Sequence, residues 1–142
     1  MLEYFSNNTT LTLGAANQET VIPFSTRKLQ KGNSVVMSGS TACINCCGIY
    51  NIDVGASFSA GTAADITFTL YADGVAQTQR TVSIATIDDF YSVNFGTYVT
   101  KKDNNTCNPC TSATNVYVTA KASVADVALT LETADIQVYK AR

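Results

Sequence analysis

The sequence predicts an all-β domain, an antiparallel sandwich or barrel of about eight to ten short strands. Three observations carry that expectation. First, the stretch Gly48–Val75 alternates twice with the period of a half-buried strand. Tyr50, Ile52, Val54, Ala56 and Phe58 are apolar while Asn51, Asp53, Gly55 and Ser57 are polar or small, and the pattern restarts at Ala64, Ile66, Phe68 and Leu70. Successive strand side chains point to opposite faces, so this alternation means one packed face and one solvated face. Second, turn signals such as Lys31-Gly32-Asn33 and Asp73-Gly74 separate the apolar runs. Third, no segment has a helical period: even the alanine-containing Ser112–Asp126 alternates like a strand.

The elements follow in order. Leu11 and Leu13 alternate with Thr10 and Thr12. Thr20–Ser25 is a short β-like run broken by Pro23, which suits a sheet edge because proline cannot donate to a ladder. Val35-Val36-Met37 follows the first turn, and the strand Gly48–Ser59 leads through a Gly-Thr-Ala loop to Ala64–Tyr71. Asp73-Gly74 predicts a tight hairpin, since both positions tolerate positive φ. Thr81–Ala85 puts Val82 and Ile84 on one face, and Tyr91, Val93 and Phe95 then oppose Ser92 and Asn94. Asp103-Asn104-Asn105 opens a polar loop. Beyond it Val116, Val118, Ala120 and Ala122 alternate with Tyr117, Thr119 and Lys121. Two last strands are expected, one on Val127, Leu129 and Leu131 and one on Ile136 and Val138.

At 142 residues the chain suits one domain. A domain of this size buries about 70% of the surface its unfolded form exposes, so it needs no crosslink to fold. Residues 11–142 read as that domain. Met1–Thr10 reads as an attachment arm, because it offers nothing from which to build a core. Hydrophobic residues make up 46% of the chain and charged ones 14%, which argues against disorder and for a surface partly covered by other protein. The net charge is −2, and Arg27–Lys31 and Lys101-Lys102 are too small as basic clusters to mark nucleic-acid binding. No stretch approaches membrane-spanning length. Histidine is absent, which removes Ser-His-Asp and Cys-His nucleophiles and all histidine metal ligation. Asp88-Asp89 is the only adjacent acidic pair, and strand neighbours face opposite ways, so a turn role is expected of it. No enzyme and no required cofactor is expected.

The order of the strands resembles the tumour-necrosis-factor-like jelly roll, also found in the globular head of complement's first component. Ile22-Pro23-Phe24 is similar to that family's early strand, Gly48-Ile49-Tyr50 to its central G-x-Y strand, Thr69–Val75 to the following strand and hairpin, and Ala128–Lys140 to its closing core strand. The resemblance spans roughly residues 20–140 and implies a homotrimer around a threefold axis. It also implies the kinds of setting in which such domains occur, among them phage head fibres and capsid decorations. With no visible secretory signal and no Gly-X-Y stalk, the expectation is a non-enzymatic virion protein assembled in the host cytoplasm. It would dock on other capsid or virion proteins through the arm Met1–Thr10. The alternative is a receptor- or glycan-binding module working through the loops Asn17–Lys31 and Lys101–Thr114. Tyr71, Tyr117 and Tyr139 are candidates for subunit contacts, with ordinary cross-strand packing as the competing role.

The five cysteines leave three readings open. Cys43-Ile44-Asn45-Cys46-Cys47 and Cys107-Asn108-Pro109-Cys110 each contain a C-x-x-C pair. Cys43, Cys46, Cys107 and Cys110 are the candidate ligands of a structural zinc ion, the same clusters are candidates for a disulfide, and buried packing is the third reading. The resemblance implies that the strand starting at Gly48 pairs with the strand Asp89–Thr100, which would bring both clusters to one end of the sandwich.

Overall fold

The computed structural model describes residues 1–101 and 113–141. Among them are eleven strands and no helix: β1 (Leu2–Leu13), β2 (Thr20–Val21), β3 (Thr26–Gln30), β4 (Val35–Ser38), β5 (Thr41–Ile44), β6 (Gly48–Ala60), β7 (Asp65–Ala72), β8 (Val75–Ser83), β9 (Tyr91–Lys101), β10 (Thr114–Ala122) and β11 (Val127–Lys140). They form two antiparallel sheets. One runs β3-β1-β11-β6-β9; the other runs β4-β5-β10-β7-β8, with β2 on the free part of β10. This is the jelly roll that the sequence predicts.

The core lies between the sheets, and the alternation along each strand builds it. Tyr50, Ile52, Val54, Ala56 and Phe58 of β6 point inward, as do Ile66, Phe68 and Leu70 of β7. Phe58 and Phe68 meet edge to face across the gap, with ring centroids 5.0 Å apart, an arrangement favoured by the aromatic quadrupole. Ile22 and Phe24 are both buried, and the Ile22 N–H donates to the Val118 carbonyl at 2.8 Å. The predicted hairpin at Asp73-Gly74 is present, with both residues in the left-handed region at φ 51° and 77°. Its Asp73 carboxylate also accepts the Asn115 N–H at 2.9 Å.

Four expectations need correction. Residues 1–10 are no arm: β1 pairs with β11 from Leu2 to Leu13 and with β3 on its other side, and Leu2 is fully buried. The segment Asn17–Lys31 is not one open loop, because it contains β2 and β3 and buries Ile22 and Phe24. Of the strand expected over Thr81–Ala85, Thr81–Ser83 end the longer edge strand β8, which is almost wholly exposed, and Ala85 and the buried Ile84 lie beyond it. The last two expected strands are one, β11, whose register shifts between Leu131 and Thr133. One extra residue at such a bulge moves the apolar phase from odd to even positions, so Leu131 hands over to Ala134 and Ile136.

Candidate functional site

The outer face of the five-stranded sheet carries an open groove and an exposed tyrosine. Strand register lays its side chains in rows across β11, β6 and β9: Tyr139–Asn51–Tyr98, then Gln137–Asp53–Gly96, then Asp135–Gly55–Asn94. The two glycines open the middle of this grid. A Cβ on Gly96 would lie 2.6 Å from the Ile52 carbonyl and 2.7 Å from an Asp53 carboxylate oxygen. On Gly55 it would lie 2.8 Å from Asn94 Oδ1 and 2.9 Å from Asp135 Oδ1. The polar side chains therefore lie flat over the glycines, and the result is an open groove walled by Asp53, Asn94, Asp135 and Gln137.

The electrostatics of the groove are one-sided. Burial raises the Asp135 carboxyl above its ordinary value, Glu3 and Asp53 raise it further, and Lys28 opposes them. Lys28 is itself held by Glu3 at 3.2 Å. Beyond the acidic rows the face turns aromatic. Tyr98 is 70% exposed, Ile49 on β6 is also exposed, and Tyr139 is half-buried beside them. Most of the Tyr98 side chain is therefore left to solvent.

The outer face of the second sheet is different. Tyr71 and Tyr117 stack at 5.2 Å, and the Tyr71 hydroxyl donates to Glu19. Thr67 and Thr81 share a hydroxyl hydrogen bond of 2.9 Å, and Thr69 and Thr119 are buried beneath their neighbours. For Tyr71 and Tyr117 the cross-strand packing role therefore holds, while Tyr139 shares the open face with Tyr98.

The cysteines are brought together only in part. Cys43 lies on β5, half-buried, with burial raising its thiol pKa. Cys46 sits in the turn before β6, and its carbonyl accepts the hydroxyl of the fully buried Tyr50 at 2.9 Å. Cys47 is buried. Cys107 and Cys110, and with them the zinc or disulfide reading, lie outside the described residues. The strands on either side of them are described: Lys101 at the end of β9 pairs with Gly48, and Thr114 at the start of β10 pairs with Ile44. The expected pairing of the Gly48 strand with the 89–100 strand is thus present. Among the described residues no group of three His, Cys, Asp or Glu side chains could hold a metal ion. Asp88 and Asp89 stand exposed in the turn before β9, with Asp88 left-handed at φ 63°.

Sequence reasoning missed Tyr98, Gly96, Asp135 and Gln137 as members of one surface. The signal was available in the alternation that puts Asp53, Gly55 and Asn94 on a solvated face. Which strands lie side by side was not.

The fold is that of a tumour-necrosis-factor-like jelly roll. Solved structures of that shape match almost the whole chain. Eiger TNF from S. frugiperda superposes with a TM-score of 0.62 over 99% of this chain and 94% of its own, at 10% identity. Murine APRIL at pH 5.0 gives 0.59 over 92% and 98%, at 11% identity. At such identities the likeness is one of fold. We found no match to a family model or to a curated protein sequence.

Proposed function

We propose that the chain is a non-enzymatic assembly module that forms a homotrimer through the outer face of its five-stranded sheet. The observation that carries this reading is Tyr98, 70% exposed beside Ile49 and Tyr139 on an otherwise regular sheet face. Tyrosine is enriched where one end of a contact is apolar and the other wet. A rotation that closes at three copies would let an edge of each copy cover this face on the next. Sedimentation of the wild-type chain and of Tyr98→Asp tests it. Trimeric wild type and a folded, dissociated variant support the reading; a monomeric wild type overturns it.

The finer placement is a virion surface, as a capsid decoration or head-fibre protein. The low charge and the resemblance support it. Purified particles should contain the chain in multiples of three; its absence from particles would move the reading to the receptor- or glycan-binding alternative. The cysteine reading is a proposal of the same kind. A zinc ion or a disulfide linking Cys43 and Cys46 to Cys107 and Cys110 would fasten the return from β9 to β10 onto the β5–β6 turn. Its support is the register that sets both Lys101 and Thr114 against that turn. Reduced protein without bound zinc, together with non-reduced protein that alkylates at all five thiols, would end it.

A further inference from the structure

The turn between β8 and β9 presents Ile87 and Phe90 to solvent, 52% and 60% exposed. It is firmly held. Ile84, buried at its root, donates its N–H to the Ala64 carbonyl at 2.8 Å, and the Asp88 N–H donates to the Ala60 carbonyl at 3.0 Å. The Tyr91 hydroxyl oxygen accepts from the N–H groups of Ala85 and Thr86 at 3.3 and 3.2 Å. Ala60 ends β6 in one sheet and Ala64 precedes β7 in the other, so the turn is pinned to both. Apolar side chains on a fixed turn lose little conformational freedom when a partner covers them.

The surroundings carry one sign of charge. The loops 61–64, 84–90 and 123–126 hold Asp88, Asp89 and Asp126 and no lysine or arginine. Val124, 39% exposed, adds a further aliphatic side chain in the third of these loops. Such a surface repels nucleic acid and anionic lipid and complements a cationic protein rim.

We infer that the β8–β9 turn is a protein-docking knob. Ile87 and Phe90 enter an apolar socket on a partner protein, and lysine or arginine side chains on the socket's rim face Asp88 and Asp89. The contact is small, so a single copy binds weakly and several copies carried together bind far more tightly. Photo-crosslinking in the organism that makes the chain tests this. Phe90 is replaced by benzoylphenylalanine, and Arg80 on the exposed strand β8 is replaced in the same way as a control. The expected result is a discrete protein adduct at position 90 and none at position 80, mapped to an apolar residue with lysine or arginine neighbours. Its yield should fall at least about fivefold when Asp88→Asn and Asp89→Asn are combined, and again for the unaltered acidic turn in about 0.5 M salt. No adduct above the control, an adduct to lipid, to nucleic acid or to another copy of this chain, or a yield indifferent to both charge tests would each overturn the inference.

Discussion

The two outer faces of this sandwich are made from similar strands and differ in how their side chains pair, although the five-stranded one also carries the hydroxyl bonds Thr10–Thr130 and Ser57–Glu132. On the six-stranded sheet several outward side chains pair with one another, Tyr71 stacking on Tyr117 and bonding Glu19 and Thr67 bonding Thr81, while the buried Thr119 hydroxyl has no partner among the described residues. On the five-stranded sheet two glycines, three carboxylates and an open tyrosine lie in adjoining rows with one ion pair among them. Polar groups satisfied within the chain gain little from a partner, whereas an exposed aromatic beside a glycine-floored groove still has most of its area to bury. The difference singles out the five-stranded face as the candidate for the assembly proposed above.

The comparison breaks most severely if β1 is not part of the open sheet, since Glu3 and Phe5 then leave that face. Leu2 is buried against Val138 on the neighbouring strand and belongs to the core cluster. Leu2→Ala should cost about 2–4 kcal/mol of stability in urea unfolding, the usual range for a buried leucine. Removing residues 1–8 strips most of a central ladder and should leave no cooperative transition. An attachment arm would instead come away with the melt unchanged.

The two glycines offer a sharper test within the open face. At Gly96 the obstacle is backbone, the Ile52 carbonyl; at Gly55 it is the tips of Asn94 and Asp135. Side-chain tips can swing away, but a paired strand carbonyl cannot. Gly96→Ala should therefore destabilise by about 1–3 kcal/mol and Gly55→Ala by clearly less. Equal losses in denaturant melts would mean that the groove floor is not built as described.

These contrasts show what the sequence could and could not disclose. β6 and β7 were legible because each buries one face without interruption, so the period of two survives along the whole run. β1 was not. Its core positions include Ser6, and the left-handed Asn8 shifts the phase midway, so Leu2 and Tyr4 fall out of step with Leu11 and Leu13. The bulge near Glu132 divided β11 in the same way, and β8 shows little apolar alternation because it lies exposed at an edge. The candidate face was legible only as scattered members. Asp53, Asn94 and Asp135 are far apart in the chain and converge because β6 lies between β11 and β9. Local patterning fixes which way a side chain points; the strand order fixes what it meets.

Charge on the open face gives a smaller effect. Asp135 holds its proton more tightly folded than unfolded, chiefly through burial and then through Glu3 and Asp53. Such a group favours the folded state below the unfolded carboxyl value, and that contribution is lost as pH rises through the raised folded value. At neutral pH the ionised carboxylate is thus a penalty. Asp135→Asn should make the protein more stable at pH 7, by no more than about 1 kcal/mol because solvent screens the site. The advantage should disappear as pH falls to the ordinary aspartate range. A variant equally advantaged at both pH values would show that the gain is not electrostatic.

The six-stranded face yields the smallest effect. The Tyr71 hydroxyl donates to Glu19, and that bond, with burial and the carboxylate's charge adding to it, pushes its pKa up to about 12. A tyrosine whose folded value is raised contributes stability that is complete below the unfolded value near 10 and is lost as pH climbs through the folded one. In a spectrophotometric titration one tyrosine should therefore ionise late, near pH 12. Glu19→Gln should bring that late step earlier while changing stability at pH 7 by only about a few tenths of a kcal/mol, as expected for an exposed pair. If no tyrosine of the unaltered chain ionises late, the Tyr71 hydroxyl is not held by Glu19 and the six-stranded face is no more finished than the other.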